Sequence, residues 1–247
     1  MRYKAIIEYD GTSFIGWQKQ KCADGHRSVQ ESIEEAIKAF SRQAVTVYAA
    51  GRTDAGVHAL GQVIHFDLPI SVEDYVVKNA LNHYLRRDMV AVLELQRVGE
   101  DFHARFSAKA RHYMYKISNR SAPLCIEHMR MWHVYKRLNV QNMRDAATRM
   151  VGKKDFASFR AKGCQSKSSI KTIDSLEILE SGDAIFINIS APSFLHKQVR
   201  IIVGTLVQCG CNVFSPSYMD EILEKKDRSA AGSTAPPYGL YLTRVDY

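Results

Sequence analysis

The N-terminal part of the chain changes hydrophobic period in a fixed order, and that order leaves few folds open. Tyr3 to Tyr9 alternates at period two, as a strand does. Ser28-Val29-Gln30-Glu31 is a capping-box pattern that opens a helix, along which Val29, Ile33, Ile37 and Phe40 recur at helical spacing. The β-branched run Val45 to Tyr48 and the alternating run Val63 to Asp67 predict two strands joined by a glycine-punctuated loop. Ser71 starts a second helical pattern with Tyr75, Val76, Ala80, Leu81 and Tyr84 as its apolar face, and Met89 to Val98 predicts a further strand. The order β-α-β-β-α-β is the split-βαβ, ferredoxin-like arrangement.

The rest of the chain repeats that order loosely. Arg111 to Ser118 predicts a strand with Tyr113, Tyr115 and Ile117 on one face, and Met131 to Tyr135 a short extra one. Val140, Met143, Ala147 and Met150 form a helical stripe stopped by Gly152, and Lys153 to Lys171 reads as a basic, Gly/Ser-rich loop. Ile173 to Leu179 and Ala184 to Ser190 read as a hairpin through Ser181-Gly182-Asp183. Phe194 to Cys209 predicts a helix, Ser217 to Lys226 a shorter one capped by Ser217, and Leu240 to Val245 a closing strand. The expected class is α+β: two ferredoxin-like, or RRM-like, halves with mainly antiparallel sheets and a cleft where they meet. The boundary falls within Asp101 to Lys109, giving an N-terminal domain over 1–105 and a C-terminal domain over 106–247.

An apolar content of 46% supports packed cores and argues against disorder. No run approaches the roughly 18 apolar residues of a membrane span, and the N-terminus enters a strand pattern with no signal-peptide core, so a cytoplasmic, non-membrane protein is expected. Cys22, Cys125, Cys164, Cys209 and Cys211 are odd in number and scattered, which fits reduced thiols and not a disulfide framework or zinc site. The formal charge of +8 points to a polyanionic partner. Lys19, Lys21, His26 and Arg27 lie in one loop, and Lys153, Lys154, Arg160, Lys162, Lys167 and Lys171 in another; such clusters either reach phosphates or form a solvated surface.

The loop between the two central strands carries Gly51, Arg52, Thr53, Asp54, Gly56, His58 and Gly61. Asp54 is either a turn residue bonding its own backbone or a functional carboxylate on a connection held by rigid strands. Arg52, two residues away, and Arg200 are its candidate partners; a carboxylate beside a guanidinium keeps its charge, which suits a nucleophile or base and not a general acid. Asp67, the nearest second carboxylate, is aimed with His65 by strand alternation, so no glycosidase-type pair is offered. His58, His65 and Asp54 have metal-ligand chemistry, but their spacing fits no standard site. Tyr113 and Tyr115, with basic neighbours, are either stacking platforms for bases or ordinary cross-strand pairs.

Several separated strings together resemble the tRNA pseudouridine synthase A family: G-T-S-F-I-G-W-Q-K-Q from Gly11, G-R-T-D-A-G-V-H-A from Gly51, G-Q-V-I-H-F-D from Gly61, D-F-H-A-R-F-S-A from Asp101 with R-H-Y-M-Y from Arg111, D-F-A-S-F from Asp155, Val199-Arg200 with Gly204, and A-P-P-Y-G-L-Y-L from Ala235. The resemblance implies a pseudouridine synthase fold with a central cleft. It implies that Asp54 is the catalytic nucleophile, that Arg52 displaces the target base, that Tyr113 stacks on the flipped uracil, that Arg200 orients Asp54 and that Leu240 lines the pocket. It implies uridines 38, 39 and 40 of the tRNA anticodon stem-loop as substrate, base flipping, a homodimer, and no metal or organic cofactor. The chain departs from the family pattern at Gln198, Lys154 and Arg86, none of which touches the Asp54 string.

Overall fold

A computed structural model describes residues 1–20, 25–69 and 71–247, so Lys21 and Cys22 lie outside the described residues. The chain divides into two compact units, Met1–Lys109 with Tyr241–Tyr247, and Ala110–Leu240. Among the described residues there are five α-helices, and the strand pairings are mainly antiparallel, which is the α+β class expected.

The first unit contains β1 (Arg2–Tyr9), α1 (Val29–Ser41), β2 (Tyr48–Ala49), β3 (His58–Asp67), α2 (Asp74–Leu85) and β4 (Val90–Val98). The strands pair antiparallel in the order β4-β1-β3-β2, the split-βαβ order. Period-two alternation buries Tyr3, Ala5, Ile7 and Tyr9 of β1, and Ile33 and Ile37 of α1 and Leu81 and Leu85 of α2 are buried as well. Ser28 caps α1, its hydroxyl accepting from Glu31 N at 3.1 Å.

Three elements differ from their sequence patterns, each for a local reason. The expected strand Val45 to Tyr48 is cut to two residues because α1 captures the Val47 backbone: Val47 N donates to Glu34 Oε1 at 3.2 Å and Val47 O accepts from Gln30 Nε2 at 3.3 Å. β3 begins at His58, five places before the expected Val63, because the chain's last strand runs parallel to its first residues, Tyr241 opposite His58 and Leu242 opposite Ala59. Gly61 makes that approach possible, since a Cβ there would stand 2.4 Å from Thr243 O. In α2 the buried stripe is Val77, Leu81 and Leu85; of the expected face Leu81 is buried, Val76 and Ala80 are half-buried, and Tyr75 and Tyr84 are exposed. Asn82 turns toward the sheet edge, exchanging hydrogen bonds with Val92 N (2.7 Å) and Val92 O (2.9 Å), and this fixes the helix rotation.

The second unit contains β5 (Ala110–Ser118), β6 (Trp132–His133), α3 (Val140–Thr148), β7 (Gly152–Asp155), β8 (Ile170–Ile173), β9 (Ser175–Ser181), β10 (Ala184–Ala191), α4 (Gln198–Gly210) and α5 (Tyr218–Lys225). β5, β10 and β9 form an antiparallel sheet, and β6 pairs in parallel with β5. The segment expected as a basic loop from Lys153 to Lys171 is bounded by a ribbon: β7 pairs antiparallel with β8, so Gly152 starts a strand and α3 is capped instead at Arg149. α4 begins at Gln198, not Phe194, because Gln198 Oε1 accepts from Leu195 N at 2.8 Å and closes the preceding turn. Ser217 stands at the start of α5 without capping it; its hydroxyl pairs with Ser215 Oγ at 3.0 Å, and Ser215 Oγ accepts from Tyr218 N. β11 (Leu240–Asp246) closes the chain.

Candidate active site

The loop carrying Arg52 and Asp54 is held by its own backbone and by the segment that follows β1. Ala50 N donates to Val63 O (2.8 Å) and Gln62 Nε2 to Gly51 O (2.8 Å), tying the loop's start to β3. Trp17 N donates to Thr53 O at 3.0 Å, Gly16 forms an antiparallel bridge with Asp54, and Val57 N closes a turn on Asp54 O at 3.2 Å. Gly56, with φ of +75°, stands at the third place of that turn, where positive φ favours glycine. The approach is tight on the other side too: at Gly16, φ +109°, an added Cβ would lie 2.8 Å from Thr53 O.

A buried pair of hydroxyls underlies the loop. Thr53 Oγ1 lies 2.8 Å from Tyr9 Oη. Burial pushes the Tyr9 phenol up to about 12, offset in part by Thr53 and Gln62, so Tyr9 stays neutral and serves as a fixed hydrogen-bonding support. The result is an exposed Arg52 and a half-buried Asp54 on a main chain with little freedom. His58 belongs to β3 and not to the loop: it is buried, its Nδ1 accepts from Gly11 N at 3.0 Å with Asp10 Oδ1 at 3.2 Å, and its ring stacks on Tyr241 at 4.7 Å. The string from Asp10 to Trp17 thus works as the loop's clamp. Sequence reasoning does not single out Tyr9, Thr53 and Gln62 as supports; a threonine flanked by Arg52 and Asp54 is the one local signal that points to them.

Asp67 is engaged elsewhere. Arg2 holds it through two 2.8 Å hydrogen bonds, and that guanidinium keeps its carboxyl below the usual carboxylate range. His65 is packed, with Nδ1 accepting from Ala104 N at 3.1 Å. Among the described residues, no three His, Cys, Asp or Glu side chains gather into a metal-binding group.

The other expected site residues belong to the second unit. Tyr113 is half-buried on β5, opposite Ile189 of β10, and meets Phe194 edge-on at 5.3 Å. Tyr115, two residues on, is core: its hydroxyl donates to Pro236 O at 2.8 Å, and burial pushes its pKa far up, with the Arg200 charge opposing. Arg200 is half-buried on α4 and grips the segment leading to Leu240; its Nε donates to Ala235 O (2.8 Å), and its own carbonyl accepts from Ala235 N (3.0 Å). Gly204 lets that segment lie on the helix, because a Cβ there would meet Ser233 O at 1.7 Å. Leu240 is buried at the start of β11. So Arg52 and Asp54 share one loop of the first unit, while Arg200 and Leu240 flank one segment of the second.

With that geometry in view, likeness to known proteins is informative. Curated relatives named tRNA pseudouridine synthase A match over their full length and the whole of this chain: 71% identical in Anaplasma phagocytophilum (strain HZ), 58% in Ehrlichia chaffeensis (strain ATCC CRL-10679 / Arkansas) and 53% in Wolbachia pipientis wMel. They mark the chain as an isomerase that acts on tRNA. The profile described as tRNA pseudouridine synthase matches residues 5–107 and 146–247, and the chain belongs to that family. No helix among the described residues is long and apolar enough to cross a membrane.

Proposed function

We propose that the chain converts uridines 38, 39 and 40 of the tRNA anticodon stem-loop to pseudouridine, with Asp54 as nucleophile. The bond from C1′ to N1 of the base breaks, the base turns, and C1′ bonds to C5; the proton on C5 leaves to solvent and N1 gains one, so the product is an isomer. The observation that carries the assignment is the loop itself: one half-buried carboxylate on a clamped backbone beside an exposed guanidinium, with Asp67, the next carboxylate along the sequence, bound by Arg2.

The reacting atoms lie inside a stacked stem, so the target nucleotide has to be flipped out before the carboxylate meets it. In this reading Arg52 displaces the base and holds the vacated place, Tyr113 stacks on the everted uracil, and Leu240 supplies an apolar wall. Arg200 supplies the charge that keeps the Asp54 carboxylate oriented. Residues 1–105 contribute the nucleophile loop and residues 106–247 the remaining groups. The enzyme works as a homodimer in the cytoplasm, without metal or organic cofactor.

Release of tritium from tRNA labelled at uridine C5 tests the assignment. Asp54→Ala is expected to abolish release while tRNA binding survives; turnover retained by that variant would refute it. Mapping pseudouridines in tRNA from cells with and without the protein tests the three positions.

A further inference from the structure

The far end of β3 carries a cluster of ring contacts, one stacked, one edge-on and one tilted, that the catalytic scheme does not use. Tyr48 lies nearly parallel to His65, centroids 5.0 Å apart; His65 meets His103 at 4.6 Å; His103 meets Phe106 at 4.4 Å. The Arg105 guanidinium sits 5.7 Å from the centre of the Phe106 ring, within cation–π range. The cluster is buried at its middle and open at both ends: His65 is 1% exposed, Tyr48 47% and Phe106 77%.

The turn that presents Phe106 is fixed. Ser107 N donates to His103 O (2.9 Å), His103 N donates to Ser107 Oγ (3.0 Å), and His103 Nδ1 accepts from Arg105 N (3.1 Å). His65 Nδ1 accepts from Ala104 N. In both imidazoles Nδ1 is an acceptor, so both rings are neutral, and they meet edge-on. A phenylalanine held outward on such a turn forgoes the stabilisation that burial would bring. The cations nearby are also laid on rings: Lys4 Nζ lies 5.3 Å from the centre of Phe102 and 4.6 Å from that of Tyr247. An aromatic face beside a guanidinium takes a nucleobase by its π-face and the adjoining phosphate by charge, a combination an apolar peptide would not use.

We propose that Phe106, with Tyr48 and Arg105, is a stacking platform for an unpaired base of the bound tRNA other than the target uridine. The proposal rests on the tRNA substrate that family membership gives, and not on the role of Asp54. Its test is filter binding of an unmodified tRNA transcript to the full chain over a salt series, for Phe106→Ala, Phe106→Leu and Phe106→Trp. Melting curves serve as the control for folding, which an exposed side chain should barely affect. Ala and Leu are expected to weaken binding by on the order of tenfold, Trp to hold it, and the slope against salt to stay constant, because stacking displaces no counterions. Wild-type affinity in Phe106→Leu would overturn the platform. So would a loss of affinity that appears only together with a change of oligomeric state in sedimentation, since the face would then bind protein. Turnover retained by Asp54→Ala would count against the catalytic assignment and leave these binding results standing.

Discussion

The Gly51–Val57 loop of the first unit and the β7–β8 ribbon of the second are built on opposite principles. The loop is fixed by backbone hydrogen bonds, by a neutral Tyr9–Thr53 pair and by an approach that only glycine allows at position 16. The ribbon sets Lys154 directly opposite Lys171, and neither lysine makes an ion pair among the described residues. Like charges across a ladder are mildly destabilising, so the arrangement makes sense where a polyanion neutralises it. The neutral clamp gives position, which catalysis needs within fractions of an ångström; the uncompensated cations give attraction, which tolerates imprecision. Arg160 shows the limit of reading charge from sequence, for it is spent on the ribbon's own connection, donating to Cys164 O and Ser166 O.

The largest effect should come from Asp54→Ala or Asp54→Asn: no detectable tritium release, with tRNA affinity within about twofold of wild type if binding comes mainly from phosphate contacts. Loss of binding along with turnover would erase the distinction between loop and ribbon. Next in size are the supports of the loop. Gly16→Ala places a methyl against Thr53 O at a φ of +109°, a strain of about 1–3 kcal/mol. Tyr9→Phe strands the buried Thr53 hydroxyl, at about 1–3 kcal/mol. Each should lower kcat between roughly tenfold and a hundredfold with little change in KM; a rise in KM at constant kcat would show that the clamp serves binding.

How far the sequence reaches follows from the same contrast. Asp54 and Arg52 are legible because both lie in one short string whose residue types carry the chemistry. The clamp is not, since Tyr9, Gly16, Thr53 and Gln62 are ordinary residues brought together by the β1–β3 pairing. The βαββαβ order of the first unit is legible because it is written in local periods. Its misread parts are all tertiary: two α1 side chains take over the Val47 backbone, the last strand extends β3 backward to His58, and Asn82 sets the rotation of α2. In the second unit β7 is four residues long and lysine-rich, so nothing local marks it as a strand until β8 lies beside it.

A smaller effect is expected from the ribbon. Lys154→Gln with Lys171→Gln should reduce the slope of log affinity against log salt by roughly 0.7–0.9 for each phosphate that is no longer neutralised. kcat at saturating tRNA should not move, and the fold should gain slightly from removal of the opposed charges. A fall in kcat at saturation would mean the ribbon also positions the substrate and would blur the contrast between the two regions.

Acid should reach the two regions unequally, because the histidines with depressed pKa values, His65 and His103, both belong to the first unit. Burial, followed by the neighbouring His103 and the Arg2 charge, lowers His65 to about 4. The unfolded chain binds a proton near the ordinary value of 6.5 while the folded one does not, so the unfolded state holds more protons between pH 6.5 and 4. Stability therefore rises with pH across that window, is complete above it, and is lost as pH falls toward 4. The whole contribution is about 3 kcal/mol, with His103 adding in the same direction. His65→Asn keeps an acceptor for Ala104 N and removes the titration. Urea unfolding from about pH 7.5 down to about 4.5 should thus give a falling midpoint for the wild type and a flatter profile for the variant. Parallel profiles would place the acid sensitivity elsewhere in the chain and remove the neutral His65–His103 pair as the reason the first unit needs a pH above that of its histidines.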